Sequence, residues 1–98
     1  ILNLNNKYFF SDMYQPGNLT LTGNCDEVRI ELTSFGSFYG ENLNCINANV
    51  TNEGEGNIFI KNTGVLSAAI FSVGNIYYSG NPSVVNKYIY GEGEIIQQ

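Results

Sequence analysis

The sequence predicts an all-β fold, a single-stranded right-handed parallel β-helix of about five coils with a period of about 19 residues. A Gly-x-apolar motif recurs at nearly constant spacing, and the segments between its copies alternate apolar and polar side chains as strands do. No segment shows the 3.6-residue periodicity of a helix. The five motif glycines lie 19, 20, 18 and 19 residues apart, at Gly17, Gly36, Gly56, Gly74 and Gly93.

The alternating segments predict which side chains face the core. Before Gly36, the apolar residues Val28, Ile30 and Leu32 alternate with polar ones. Three later segments repeat this pattern, with predicted inward sets Ile58 and Ile60; Leu66, Ala68 and Ile70; and Val85, Lys87 and Ile89. The last set is the least regular, because a lysine stands at an apolar position.

A strand-forming repeat of this length suits one coil of a β-solenoid, whose rungs stack roughly 4.8 Å apart. Glycine fits the corner because a Cβ there would crowd the neighbouring rung. Right-handed winding is preferred for parallel connections. The third coil is expected to carry an extra pair of residues around Asn52 and Glu53. A small antiparallel sandwich is the alternative, since its turns recur every 8 to 12 residues or about half this period.

The segment 1–16 lacks the glycine motif and precedes a solenoid domain at 17–98. A solenoid exposes its core at both ends, so we expect this segment to act as an N-terminal cap, or as a strand donated to a neighbouring subunit. The apolar C-terminal end invites end-to-end stacking. The candidate cap or assembly residues are Leu2, Leu4, Tyr8, Phe9, Phe10, Ile95 and Ile96.

The two cysteines fall at nearly the same place in adjacent coils. Cys25 lies 8 residues after Gly17, and Cys45 lies 9 residues after Gly36. The rung spacing would put their Cα atoms within the roughly 4.4–6.8 Å that a disulfide requires. We expect a disulfide and an extracytoplasmic location; two buried thiols are the alternative.

The C-terminal part of the chain carries a recognisable motif. Residues 76–85 read IYYSGNPSVV and residues 91–95 read GEGEI. Over residues 17–98 the chain resembles the family called putative auto-transporter adhesin, head GIN domain, although the Gly-Ser-Gly tripeptides of that family are altered here. The resemblance implies a right-handed β-helix in secreted or envelope-anchored bacterial proteins, and it brings no catalytic residues.

Aromatic side chains are expected to form ladders on the outer surface. Positions three residues after successive glycines carry Tyr39, Phe59 and Tyr77, while Phe71 and Tyr90 form a second pair. Exposed aromatic residues on this scale require cover. Three possibilities stay open: cover by residues 1–16, contact with another copy or another surface protein, and stacking on the sugar rings of a glycan.

Polar columns have simpler interpretations. Asn18, Asn57 and Asn75 share one outward column, which favours a ladder of amide hydrogen bonds over a binding site. Four glutamates near the corners favour a solvated acidic face, because no calcium-binding repeat accompanies them. No metal and no other cofactor is expected. The glutamates are Glu53, Glu55, Glu92 and Glu94.

Composition excludes several functions. The 98 residues contain no histidine, and four Lys and Arg against nine Asp and Glu give a net charge of −5. This argues against histidine-dependent catalysis and against nucleic-acid binding. The few basic residues are scattered over different repeats, so no catalytic residue and no enzyme is expected. No apolar stretch approaches the roughly 20 residues of a transmembrane helix.

We therefore expect a secreted or cell-surface, non-enzymatic β-helix module. It would serve as an adhesin-like or structural scaffold through its outward aromatic face. The alternative is a self-assembling subunit of an extracellular filament or surface layer, built by strand donation or by end-to-end stacking of coils.

Overall fold

The computed structural model describes residues 2–13, 17–33 and 35–98, and every regular element in this part of the chain is a β-strand. The strands form one parallel sheet wound into a β-solenoid of about five coils, as predicted. They are β1 (Leu2–Met13), β2 (Leu19–Leu32), β3 (Phe38–Asn52), β4 (Ile58–Asn62), β5 (Val65–Ile70), β6 (Ile76–Ser79), β7 (Val84–Ile89) and β8 (Ile95–Gln97). No helix in the described residues could cross a membrane.

Strand β3 is the point at which the winding changes. The first three coils each consist of one long strand, and β1, β2 and β3 pair in order. The first half of β3 pairs with β4 and its second half with β5, so the later coils have two shorter strands each. Register partners lie 19 residues apart at Leu2 and Leu21, and again at Ile76 and Ile95. The predicted period is confirmed.

The core is a set of inward columns running along the solenoid axis. The predicted inward residues Val28, Ile30 and Leu32 are at most 2% exposed. The other residues predicted to face inward in the following coil are also buried, at Ile58, Ile60, Leu66, Ala68 and Ile70. Side chains of successive coils therefore pack on one another inside the solenoid, which is how a strand repeat too short to fold alone buries its apolar face.

Lys87 stands at an inward register position but is not buried. It pairs with Ala68 of the preceding coil and is exposed. Its Nζ lies 5.7 Å from the centre of the Tyr78 ring, a cation–π distance. Val85 packs against the core beside it, whereas Ile89 is 48% exposed. The rung formed by Val85, Lys87 and Ile89, which the sequence predicted to be irregular, is thus partly exposed.

The motif glycines form a column in which each coil touches the next. A Cβ on Gly36 would overlap the carbonyl oxygen of Gly17, and one on Gly56 would overlap that of Gly36. Gly74 and Gly93 repeat this relationship. None of these four residues has a positive φ. Glycine is required because of close backbone approach, as the sequence predicted.

The buried side chain of Asn52 stabilises the same corner by hydrogen bonds. It is fully buried, its Nδ2 donates to the carbonyl oxygens of Gly56 (2.9 Å) and Asn75 (3.2 Å), and its Oδ1 accepts from Gly54 N–H (3.0 Å). Asn75 belongs to the next coil, so one side chain ties two coils together. All three hydrogen bonds are made by a fully buried side chain, which makes them costly to lose.

The extra residue of the third coil is elsewhere than predicted. Thr20 pairs with Tyr39 but Thr22 pairs with Asn42, so a β-bulge lies at Gly40 and Glu41. The prediction of extra residues around Asn52 and Glu53 was wrong. Gly40 suits the bulge because a Cβ there would meet the ring of Phe38 at 2.6 Å.

The N-terminal segment takes the first place in the stack. Strand β1 pairs with β2 over eleven positions, so residues 2–13 are a coil of the same sheet. Phe9 packs against the core, while Tyr8 and Phe10 are 55% and 46% exposed. Residues 1 and 14–16 and the side chains of Leu2 and Leu4 lie outside the described part, so those candidate cap contacts stay predictions.

Candidate interaction surfaces

The first aromatic ladder forms on β3, β4 and β6. Tyr39, Phe59 and Tyr77 are register partners, with ring centres 5.3 and 4.9 Å apart and neighbouring planes inclined by 12°. All three side chains are half-buried. Parallel stacking at this distance turns the ring faces toward one another. The faces between neighbours are therefore unavailable to a sugar ring, and the ladder offers mainly its edges.

The second aromatic pair is much more open. The rings of Phe71 and Tyr90 stack with centres 5.1 Å apart, and the two residues are 51% and 69% exposed. Two further apolar residues are exposed at the same corner, Phe35 at 72% and Val73 at 52%. We call these four residues the corner patch. Sequence reasoning missed Phe35 and Val73, although each directly precedes a motif glycine.

Residues 2–13 do not cover either aromatic set. Strand β1 stacks beneath β2, and its register partners run from Leu21 to Leu32. The residue below Tyr39 in the first ladder is Thr20, which has no partner in β1. The expectation of intramolecular cover by the N-terminal segment is therefore not met by the described part of that segment.

A groove of about 450 Å³ lies on the outer face of β1, β2, β3 and β5. Its polar side chains stand at outward positions of successive coils, and the buried residues Val28 and Ala48 also line it. No motif in the sequence predicts this groove, because its residues lie near one another only through the register. The remaining lining residues are Tyr8, Glu27, Arg29, Asn47, Asn49, Val65 and Ser67.

Two polar side chains in this groove are held in place. Arg29 Nη2 forms an ion pair of 3.1 Å with Glu31, and its guanidinium lies 5.5 Å from the centre of the Phe10 ring. Asn47 Oδ1 accepts a 3.0 Å hydrogen bond from Val65 N–H, which leaves its amide N–H groups available. Preorganised polar groups of this kind lose little freedom when they bind a ligand.

The cysteines are register partners on β2 and β3, as their spacing predicted. Both are 3% exposed and both thiols are free. Cys25 Sγ donates to Glu27 O at 2.8 Å. Burial, and then the neighbouring Cys25, raise the pKa of Cys45 to about 12, and burial also raises that of Cys25. The structure does not show the predicted disulfide, which stays a prediction.

The asparagine column is a ladder, but its donors are backbone groups. Asn18 Oδ1 accepts from Ser37 N–H (2.9 Å), and Asn57 Oδ1 accepts from Asn75 N–H (3.0 Å). The remaining rungs run from Asn57 N–H to Ser37 Oγ and from Glu94 N–H to Asn75 Oδ1. Each side-chain oxygen thus binds the main chain of the next coil.

The acidic residues near the corners are solvent-exposed. Glu53 and Glu55 stand beside Phe35, and Glu92 and Glu94 lie on either side of Gly93. In the described part of the chain, no three carboxylate, thiol or imidazole groups are placed to hold a metal ion. Carboxylates exposed in this way carry charge at the surface and are well solvated.

Comparison with known proteins agrees with this architecture. The sequence model of the family described as "Putative auto-transporter adhesin, head GIN domain" matches residues 1–82. The crystal structure of a protein described as a putative adhesin from Bacteroides fragilis superimposes with a TM-score of 0.91 at 23% identity. The alignment covers 94% of this chain but only 42% of that one, so this chain spans less than half of its length. No curated protein matches the chain.

Proposed function

Because the chain belongs to the head GIN domain family of putative auto-transporter adhesins, we propose that it is a secreted or cell-surface adhesin-like module. In this proposal it binds a protein partner by surface contact and catalyses no reaction. The observation that carries the proposal is the corner patch, where Phe71 and Tyr90 are stacked and 51% and 69% exposed.

The corner patch has the character of a protein contact. Aromatic side chains that are rigid before binding contribute most of the energy in such interfaces. Phe71 and Tyr90 are fixed by mutual stacking, and the surrounding corner is fixed by the glycine column and by Asn52. A partner would therefore meet a preformed surface and would lose little entropy to ordering it.

The first ladder has a supporting role in this proposal. Tyr39, Phe59 and Tyr77 stiffen one side of the solenoid by stacking across three coils. Their exposed ring edges extend the contact area without providing its anchor. Cross-rung aromatic pairs of this type stabilise a sheet by about 0.5–1.5 kcal/mol each.

Non-enzymatic action is supported by the scatter of reactive groups. The basic residues Arg29, Lys61 and Lys87 lie on β2, β4 and β7. The Arg29 guanidinium is already paired with Glu31 and stacked over Phe10. Acid–base chemistry requires a proton donor and acceptor within reach of one substrate atom.

Binding to immobilised glycoproteins tests the proposal. Purified chain should bind surfaces coated with mucin or fibronectin in a saturable way, and the double variant F71S/Y90S should lose at least about tenfold in affinity. Tyr88, which is 48% exposed on β7 outside the patch, provides the matched control Y88S. No saturable binding to either coating, or equal loss in the control, would contradict the proposal.

A second proposal is end-to-end association between copies. It is supported by the exposure of β7, where Val84, Tyr88 and Ile89 are 46–48% exposed. Among the described residues β7 pairs only with β5, so one edge carries free backbone groups. Light scattering should then show mass increasing with concentration, and the edge substitution V84K should abolish the increase. A concentration-independent monomer would refute this proposal.

For the cysteines, we propose that Cys25 and Cys45 form a disulfide in an oxidising compartment. The two thiols would give two protons and two electrons to a low-molecular-weight disulfide such as oxidised glutathione, which becomes two thiols. Burial raises both thiol pKa values, so closure belongs to a stage before the coils pack. Refolding with oxidised glutathione should lower the mass by two hydrogen atoms. Two intact thiols after such refolding would contradict the disulfide.

A further inference from the structure

We propose that the groove on the outer face of β1, β2, β3 and β5 binds a neutral oligosaccharide. None of the groove residues belongs to the corner patch, so this inference goes beyond the proposed function and stands apart from it. The groove volume is about 450 Å³, within the range of roughly 300–1,000 Å³ typical of small-ligand sites.

The chemistry of the lining favours a polyol. Glu27, Arg29 and Asn49 are exposed, and they present carboxylate, guanidinium and amide groups toward the same space. No hydrogen bond links the side chains of Glu27 or Asn49 to another described residue. Sugar hydroxyls both donate and accept, so they can satisfy this mixture of groups together.

Charge decides between a neutral and an ionic ligand. Among the described residues, Glu27 and Arg29 are the only charged ones that line the groove, and their formal charges cancel. Arg29 is also paired with Glu31, whose carboxylate offsets part of its attraction for an anion. With a net charge of −5 over the whole chain, long-range attraction for an acidic polysaccharide is absent.

Tyr8 provides the apolar part of the site. It is 55% exposed at the first coil, directly below Glu27 in the column of register partners. A pyranose ring has an apolar face of C–H groups that packs on aromatic rings. Strands stack roughly 4.8 Å apart, so the residues of successive coils can contact successive sugar units along the solenoid axis.

The position of the groove disfavours an extended peptide as its occupant. Peptides that add to a sheet use the free backbone groups of an edge strand. Here β2, β3 and β5 are paired on both sides and only β1 has an unpaired edge in the described residues, so most of the face offers side chains and no unpaired backbone. Recognition at this face therefore depends on the hydrogen-bonding groups of the side chains and on one aromatic ring.

A titration by heteronuclear NMR tests the inference with a defined panel of neutral hexasaccharides: maltohexaose, cellohexaose, chitohexaose and mannohexaose. At least one should produce saturable shifts centred on the amides of residues 27–29 and 47–49. The variants Tyr8→Ala and Asn49→Ala should each weaken that binding about tenfold or more. Both residues lie at the surface, so the variants should keep the wild-type fold.

Matched controls separate the groove from other surfaces. Asn42 is an exposed asparagine of β3 outside the groove, and Tyr90 is an exposed tyrosine of the corner patch. Asn42→Ala and Tyr90→Ala should leave sugar binding within about twofold of wild type. An acidic hyaluronan hexasaccharide should bind more weakly than the neutral ligand.

Several results would overturn the inference. They are the absence of shifts with all four neutral sugars at about 10 mM, shifts centred outside the groove, equal losses in the control variants, or tighter binding of hyaluronan. Loss of glycoprotein binding in F71S/Y90S with unchanged sugar titration would show that the two surfaces act independently. That outcome would support both proposals.

Discussion

The amide of Asn52 donates a 2.9 Å hydrogen bond to the carbonyl oxygen of Gly56, four residues further along the chain. The same side chain also binds the backbone of Gly54 and Asn75, so it closes its own corner and holds the following coil. A single buried polar residue thus links a turn to the stack. Removal of this side chain should therefore destabilise two coils.

The substitution Asn52→Leu should lower the free energy of unfolding by roughly 2–4 kcal/mol. Leucine has a similar volume but removes the partners of Gly54 N–H and of the Gly56 carbonyl oxygen in a buried site, whereas the carbonyl oxygen of Asn75 keeps its hydrogen bond from Ile58 N–H. Urea unfolding would measure the loss. The control is Asn42→Leu on the exposed side of the same strand, where a change within about 0.5 kcal/mol is expected. Equal effects at the two sites would contradict the role assigned to Asn52.

The packing of the glycine column can be tested by alanine substitutions at two of its positions. Gly56→Ala should destabilise the chain by about 3 kcal/mol or more, because the new methyl group would overlap the backbone carbonyl of Gly36. Gly17 has no described atom within 4 Å of the corresponding position, but its φ is +139°. Gly17→Ala should therefore cost only about 1–2 kcal/mol of backbone strain. Thermal unfolding of both variants gives the comparison, and a smaller cost at Gly56 would refute the packing argument.

Substitutions at Asn57 test whether the donors of the asparagine ladder are backbone N–H groups, as observed, or side-chain amides. Its Oδ1 accepts from the backbone N–H of Asn75, so Asn57→Ala should cost about 1 kcal/mol. Aspartate keeps the accepting oxygen, and Asn57→Asp should stay within about 0.5 kcal/mol of wild type in moderate salt. A ladder joined through side-chain amide donors would weaken in both variants. Denaturant unfolding of the two variants therefore shows whether backbone N–H groups or side-chain amides donate the hydrogen bonds of the ladder.

The buried thiols predict a loss of stability at high pH. Burial raises the pKa of Cys45 from 9.0 to about 12, so the folded chain keeps a proton that the unfolded chain releases. This stabilisation is complete below pH 9 and is lost as the pH rises from there toward 12. Under reducing conditions the slope should reach about 1.4 kcal/mol per pH unit for this thiol. Cys45→Ser should flatten the slope between pH 9 and 11, and an unchanged slope would contradict the assignment.

Much of this fold is predictable because its signals are periodic. Alternation with period two assigned Val28, Ile30 and Leu32 to the core, and all three are buried. Constant glycine spacing identified the corners, and the offsets of Cys25 and Cys45 placed them in one column, where they are register partners. Each of these inferences depends only on positions within the repeat, which the printed sequence contains.

The irregular features could not be predicted in the same way. A 20-residue interval shows that one residue is extra, but the bulge at Gly40 depends on the ring of Phe38. With the extra residue misplaced, the inward position of Asn52 was hidden. The groove joins Glu27 to Asn47 across a register that changes by one residue within β2 and β3. Exposure at Phe35 likewise depends on which coil corners project into solvent.

The central position of β3 determines the order in which the strands unfold. It pairs with β2 on one side and with β4 and β5 on the other, whereas β1 and β8 each pair on one side within the described residues. In a linear array of nearest-neighbour couplings, opening starts at the ends and moves inward. Amide hydrogens of β3 should consequently exchange with solvent most slowly, and those of β1 and β8 fastest. A pulling force applied along the axis would peel the solenoid one coil at a time toward that central strand.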